Sequence, residues 1–339
     1  MDKRRITLKD IARELGISVS TASRALNSYS GISEETIKLV KDYAEKHNYV
    51  PNSIAVNFRR NRTMTLGMIV PEVVHPFFSS IISGAIAAAN QHGYRILLGQ
   101  TDEKLPNEKL ACRSMLSGSV DGLLISVSNE TKDFEHLQEF IDEGKPVIQF
   151  DKFLENFHTP KVITDDYESA YEAVNHLIKQ GYRRIAHING LLEVKNSMDR
   201  LKGYKKALED AGLEFREEWV PHCKNISEEE GYQFAQELLN LPQPPDAFFC
   251  ITDLVALGVM NYLKSQGIQV PKQIGVMGFS NWKIAEVMSP GLSTVEQHGH
   301  QMGMKAVNLL VQLLKDQSLG SNETYKIDSD LIIRESTLN

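Results

Sequence analysis

The sequence predicts an α/β protein with a three-helix helix-turn-helix head and, behind it, two doubly wound parallel-sheet lobes. Three observations carry this. Residues 7–27 read as two short helices around a tight turn. From Leu66 onward, apolar strands alternate with amphipathic helices in two successive sets. The charge also divides: residues 1–62 hold 12 Lys/Arg and 7 Asp/Glu, a balance of +5, while the remainder holds 25 and 37, a balance of −12. A basic head on an acidic body favours nucleic acid at one end and repels it elsewhere.

In the head, Thr7 is a helix N-cap with Asp10 three residues on, a near capping box. Leu8, Ile11, Ala12 and Leu15 then share one face, and Gly16 ends the helix in a left-handed turn. Ser18 caps a second helix that turns Ala22, Ala25 and Leu26 inward. This leaves Val19, Ser20, Thr21, Ser23 and Arg24 outward. Short hydroxyls at a helix start suit phosphate, and an arginine one turn on can grip a guanine edge with two hydrogen bonds. A packing module that touches no nucleic acid is the alternative on spacing alone. A third helix runs from Ser33 to about His47, with Ile37, Val40 and Ala44 inward. It must stop before Pro51, which can itself open a short helix over 51–58. Arg59-Arg60-Asn61-Arg62 follows as a basic linker.

In the body, strands are expected at Leu66–Val70, Tyr94–Leu98, Gly122–Val127 and Pro146–Phe150, with helices at 77–92, 107–117 and 133–143. After a polar break at Lys152–Pro160, strands at Arg184–Ile188, Glu218–Cys223, Asp246–Ile251 and Ile274–Phe279 go with helices near 166–180, 199–211, 228–240 and 253–266. Gly93 and Gly144 are placed as helix C-caps. Such a body binds ligands in the crevice between its lobes.

Several function classes are disfavoured. No apolar run approaches the ~18 residues needed to span a bilayer, and Met-Asp-Lys-Arg-Arg leads into a polar helix, so no secretory signal is expected. Cys112, Cys223 and Cys250 match no metal or redox spacing and read as reduced thiols of a cytoplasmic protein. The turn after the first strand, Val70-Pro-Glu-Val-Val-His-Pro76, has no glycine, so neither a dinucleotide fingerprint nor a P-loop is present. No nucleophile–base constellation marks an enzyme, and no cofactor or metal is expected.

The run Thr7-Leu-Lys-Asp-Ile-Ala through Ser23-Arg24-Ala-Leu-Asn27 resembles the lactose/galactose repressor family of bacterial regulators almost residue for residue, with Ala22 where that family usually has valine. Tyr49-Val-Pro-Asn52 continues it. Further resemblances are His75-Pro-Phe-Phe78, Thr164-Asp-Asp166, Arg200-Leu-Lys-Gly-Tyr204, Thr252-Asp253-Leu-Val-Ala-Leu-Gly258, Gly278-Phe-Ser-Asn281 and Leu292-Ser-Thr-Val-Glu-Gln297. The resemblance implies a body of periplasmic-binding-protein type and a homodimer on double-stranded operator DNA. It implies DNA contacts from Thr7, Val19, Ser20, Thr21, Ser23, Arg24 and Asn27, and from Asn52, Ala55 and Phe58 on a hinge helix, with Phe58 where the family's leucine wedges into the minor groove. It implies a small effector, a sugar or sugar derivative, held by His75, Phe77, Asp166, Arg200, Ile226, Thr252, Asp253, Ser280, Trp282 and Gln297.

Two departures stand out: Ser280 replaces an aspartate used by sugar-responsive members, and Ile226 replaces a frequent aromatic ring. Each position also has a plainer role as cap, turn or packing residue. The implied division is a head over 1–50, hinge and linker over 51–64 and body over 65–339. Lobe 1 takes about 65–162 plus 293–323, and lobe 2 about 163–292 plus 324–339. No tetramerising tail is expected after Arg334–Asn339. The rival reading is a small-molecule sensor or carrier whose head contacts protein instead of DNA.

Overall fold

The structure, a computed structural model, describes residues 6–47, 49, 62–118, 120–315 and 322–338. The chain separates into two compact units between Thr63 and Met64. In the first unit, α1 (Leu8–Glu14), α2 (Val19–Leu26) and α3 (Glu34–Lys46) close around Ile11, Ala25, Val40 and Ala44. Leu15, Ile17, Leu26, Ile37, Tyr43 and Tyr49 pack around that small core. Thr7, Ser18 and Ser33 each accept the backbone N–H three residues on. Thr7 completes the capping box, because its own N–H donates to Asp10 at 3.0 Å. Gly16 stands at φ +64°, a conformation that L side chains rarely adopt, and nothing lies within 4 Å of where a Cβ would stand.

The second unit has eleven described strands: β1 (Thr65–Val70), β2 (Arg95–Gln100), β3 (Gly122–Ile125), β4 (Val147–Phe150), β5 (Lys161–Thr164), β6 (Ile185–Ile188), β7 (Ala247–Cys250), β8 (Gly275–Met277), β9 (Thr294–Glu296), β10 (Thr324–Ile327) and β11 (Asp330–Ile332). The first sheet is parallel, in the order β10-β5-β4-β3-β1-β2. Helices α4 (Pro76–Gln91) and α12 (Gly299–Lys315) cover one face, and α5 (Leu105–Ser117) and α6 (Glu135–Asp142) the other. The second sheet is β6-β7-β8, also parallel. On it, α7 (Asp166–Lys179) and α8 (Lys195–Asp210) face α9 (Glu228–Leu239) and α10 (Asp253–Ser265) across the strands. A short helix, α11 (Lys283–Val287), follows β8. No described helix is long and apolar enough to cross a membrane.

Crossings between the lobes differ from the expected division. β10 joins the first sheet beside β5, and β9 pairs antiparallel with β11 next to β8. So 324–327, assigned to lobe 2, belongs to lobe 1, and 294–296, assigned to lobe 1, belongs to lobe 2. The chain therefore crosses three times, after β5, β9 and β10. Strand β5 was hidden in the sequence because it is four residues long, starts at a lysine and adjoins the polar break. The strand expected at Glu218–Cys223 is instead a 3-10 turn, Glu217–Trp219, followed by one bridge from Asn189 to His222. Pro221 has no N–H to extend that ladder. Asn52, Ala55 and Phe58 lie outside the described residues, as does the whole 51–58 stretch.

Three helix pairs close by the same device. A Cβ on Gly303 would stand 2.0 Å from the Ile81 carbonyl, joining α12 to α4. One on Gly203 would stand 2.3 Å from Tyr167 O, joining α8 to α7, and one on Gly258 1.9 Å from Glu228 O, joining α10 to α9. Backbone opposes backbone at each point, so no rotamer can make room. Gly303→Ala should therefore lower the unfolding free energy by about 1–3 kcal/mol, despite alanine's better helix propensity. Urea unfolding measures this, and a midpoint at or above wild type would refute the close approach.

Candidate functional site

Two sets of residues stand out, one in each unit. In the head, α2 buries Ala22 and Ala25 and turns its other side to solvent. Val19, Ser20, Arg24 and Asn27 are exposed, and Thr21 and Ser23 half-buried. Ser18 Oγ lies 2.8 Å from both Ser20 Oγ and Thr21 Oγ1, so the hydroxyls cluster at the helix start. Asn27 donates back to the Ser23 carbonyl at 2.8 Å. Arg24 makes no ion pair among the described residues, which leaves its guanidinium uncommitted at the surface.

In the body, the C-terminal ends of both sheets carry the second set. Arg200, on α8, is buried. Its Nε and Nη2 each lie 2.8 Å from Asp166 Oδ1, at the start of α7, and Nη1 donates to the Ile251 carbonyl at 2.7 Å. Its guanidinium carbon sits 3.6 Å from the centre of the Phe279 ring. Nε and Nη1 thus each make a hydrogen bond, and Nη2 lies in ion-pair range of the same carboxylate oxygen. Thr164 donates to Asp166 Oδ2 at 3.0 Å, Gln297 approaches Thr164 at 3.5 Å, and Ser280 donates to Gln297 at 2.7 Å. The expected residues Ser280, Gln297, Asp166 and Arg200 thus form one hydrogen-bonded chain running from lobe 2 to the end of β5.

Asp253 is fully buried and works inward. It accepts Thr294 Oγ1 and the backbone N–H of Trp282, each at 2.6 Å. Burial raises its carboxyl to about 7 in spite of those bonds. Trp282 thereby stands at the head of α11, and its ring meets His75 edge-on with centroids 4.7 Å apart. His75 precedes α4 in lobe 1, so this contact spans the lobes. Burial, with Lys152 and Arg200 adding, pushes its imidazole down to about 4, and it is neutral. Phe77 is buried in the lobe 1 core and reaches the group through Phe78. Thr252 caps α10. Ile226 packs on the lobe 2 core with φ +48°, a rare conformation for a β-branched side chain.

Other residues share the cleft without having been anticipated. Asp151, after β4, is held at φ +56°, and burial pushes its carboxyl up to about 6; Ser126 donates to it at 3.3 Å. Lys152 is buried and donates to Glu103 and, at 2.9 Å, to Asn129. Asn189, fully buried, follows β6. The residue just past each parallel strand is the signal that would have found Ser126, Asp151 and Asn189.

Two family models match the chain. Residues 7–52 match the bacterial regulatory proteins of the lacI family, and residues 63–335 match the periplasmic binding proteins and sugar binding domain of the LacI family. The chain belongs to the LacI family. This is the lactose/galactose repressor family that its motifs implied, and it makes the protein a DNA-binding transcriptional regulator with a ligand-binding body. Among LacI-family relatives, the HTH-type transcriptional repressor CytR of Escherichia coli K12 is 34% identical over 98% of this chain and 96% of its own. A CelR transcriptional regulator–cellobiose complex is 27% identical, with TM-score 0.74, over 98% of this chain and all of its own. The Lac repressor dimer bound to operator shares the fold, with TM-score 0.88 at 24% identity over 99% of this chain and all of its own.

The raised carboxyl of Asp253 has a consequence for pH. Unfolded, it ionises near its ordinary 3.8; folded, it holds its proton to about 7. Between those values the folded chain binds a proton that the unfolded chain has lost. Stability from this group therefore falls as pH rises from about 4 to about 7, then levels off. Asp253→Asn, which keeps the shape, should flatten the stability profile over that window by on the order of a few kcal/mol. Denaturant unfolding at several pH values tests it, and unchanged slopes in the variant would show that Asp253 is ionised throughout.

Proposed function

We propose that this protein is a repressor that binds operator DNA as a homodimer, and that a sugar or sugar derivative in the interlobe cleft controls its grip. The observation that carries the reading is Arg24, uncommitted on the exposed face of a doubly capped helix-turn-helix in the basic part of the chain. Val19, Ser20, Thr21 and Ser23 lie along the same helix, and Thr7 and Asn27 lie at the ends of the motif. Asn52, Ala55 and Phe58 are proposed to complete the interface from the minor groove, where an apolar wedge can kink the duplex.

The effector reading is supported by the guanidinium N–H groups that Arg200 keeps beyond its bonds to Asp166 and the Ile251 carbonyl, and by the acceptor capacity of Asp151. The cleft's cations, Arg200 and Lys152, already face Asp166 and Glu103. That balance suits a neutral, hydroxyl-rich ligand better than a multiply charged one. The CelR complex with cellobiose points the same way. For the dimer, β2 is an edge strand that exposes Leu97 and Leu98, and its flanking helices expose Ile86 and Leu110. A second copy is the natural cover for such an apolar edge, and its two-fold symmetry would match a near-palindromic site.

The test selects bound duplexes from a random DNA pool, then titrates Arg24→Ala against the selected sequence. A loss of about 1–3 kcal/mol, with relaxed preference at one base pair per half-site, is expected. Wild-type binding should weaken steeply with salt. Selection of no duplex, or a variant that binds as wild type, overturns the reading.

A further inference from the structure

The contact between His75 and Trp282 joins the loop before α4 in lobe 1 to the turn before α11 in lobe 2. The rings meet edge to face at 90°, the geometry in which a positive ring edge finds a negative ring face. Neither ring is loosely placed. His75 leans on Phe78 with centroids 5.4 Å apart, which fixes it to the lobe 1 core. Trp282 is fixed from behind by its backbone N–H on Asp253, which also receives Thr294 Oγ1.

The turn that delivers Trp282 is strained and braced. Ser280 has φ +100° and Asn281 φ +46°. Asn281 donates to Glu296 at 2.8 Å and accepts from Arg334 at 2.9 Å. Two consecutive non-glycine residues in this region cost energy that a mere connecting turn would not need. Each ring also carries a buried nitrogen without a hydrogen-bond partner among the described residues, Nδ1 of His75 and Nε1 of Trp282. The indole N–H can only donate, and a buried donor left unmatched is unfavourable.

We propose that His75 and Trp282 form a clasp that sets the closure of the two lobes, and that a ligand in the cleft strengthens it by accepting a hydrogen bond from Trp282 Nε1. The second half rests on the effector reading above; the first half does not. Trp282 acts here as a positioning residue, coupling the braced β8–α11 turn to lobe 1. Breaking the pair frees the lobes to move about the three crossings.

Hydrogen–deuterium exchange on the full chain, with neither ligand nor DNA, tests the clasp in wild type, His75→Ala, Trp282→Ala and the double variant. Each single variant should speed exchange at the crossings, around 164–166, 296–299 and 327–330, and the double should add little to either. Faster exchange confined to the loops that carry residues 75 and 282, or additive effects in the double, overturns the clasp. Should Trp282→Ala fail to fold, Trp282→Leu serves in its place.

The ligand half is read by thermal shift against a panel of neutral mono- and disaccharides. Any sugar that raises the wild-type midpoint should raise that of Trp282→Phe, which lacks only the indole N–H, by less. An equal rise removes the Nε1 contact. A panel that moves neither protein refutes the sugar reading, while the exchange result still decides the clasp.

Discussion

Asp165 holds the place where the two lobes turn on each other. Its Oδ1 accepts Ser169 Oγ at 2.8 Å, the Ser329 N–H at 3.1 Å and the Ser329 hydroxyl. One carboxylate oxygen thus ties the crossing after β5 to the crossing after β10. His298, at the middle crossing, reaches Asp330 at 2.8 Å, and its own N–H donates to Glu296 at 2.8 Å. These are short polar links at the crossings, where the strands also lend Val295, Ile327 and Leu331 to the apolar clusters of the two lobes. The turns of the crossings are therefore held by hydrogen bonds, and the lobes by burial. Rigid bodies joined by polar straps can change their angle without repacking either core.

The charges in the cleft follow from that division. A buried ion pair is stable only when the remaining hydrogen-bonding groups are satisfied. Arg200 meets most of this condition through Asp166, the Ile251 carbonyl and the Phe279 face, all supplied by the polypeptide, and leaves part of its guanidinium edge unpaired among the described residues. It is thus held in place before any ligand arrives, and the effector proposed above would engage what remains of its guanidinium edge. Asp151 is the opposite case. Its cationic neighbour Lys152 donates instead to Glu103 and Asn129, so burial dominates and its carboxyl rises. One wall of the cleft is electrostatically settled, and the other holds a carboxyl that still has acceptor capacity.

How much of this was legible depended on whether the signal was local. The capping box at Thr7, the left-handed Gly16 and the inward alanines of α2 are short-range consequences of residue type, and the head follows from them. Most body strands were readable because buried parallel strands are continuous apolar runs. The lobe assignment of 294–296 and 324–327 was not, because sheet membership depends on partners far away in sequence. Pro221 shows the same limit at a single residue, where an apolar stretch reads as a strand until the missing N–H is set against its would-be neighbour. In the cleft, resemblance carried Arg200, Asp166 and Asp253. It gave Asp253 an effector-facing role, whereas the structure turns its carboxylate onto Thr294 and Trp282. Asp151 was legible only by its place just past a strand, and Lys152 gave no signal, since a lysine opening a polar break looks like any solvated turn.

The division between a basic head region and an acidic body also shapes how such a chain would meet DNA. A −12 body near a polyanion is repelled within a Debye length of about 8 Å at physiological salt. Attraction is confined to the first 62 residues, with their balance of +5. That charge is too small for tight non-specific binding by one copy. Two copies side by side double the phosphates neutralised and steepen the salt dependence accordingly. Their acidic bodies still resist any approach that does not place both heads on the duplex. In the proposed complex, specific affinity would rest on the few base-edge contacts that α2 offers, and modest changes in the spacing of two heads would be enough to release the site. A cleft braced by polar straps and an aromatic contact is a mechanism of the right scale, because a ligand contributing a few hydrogen bonds can shift such an equilibrium severalfold.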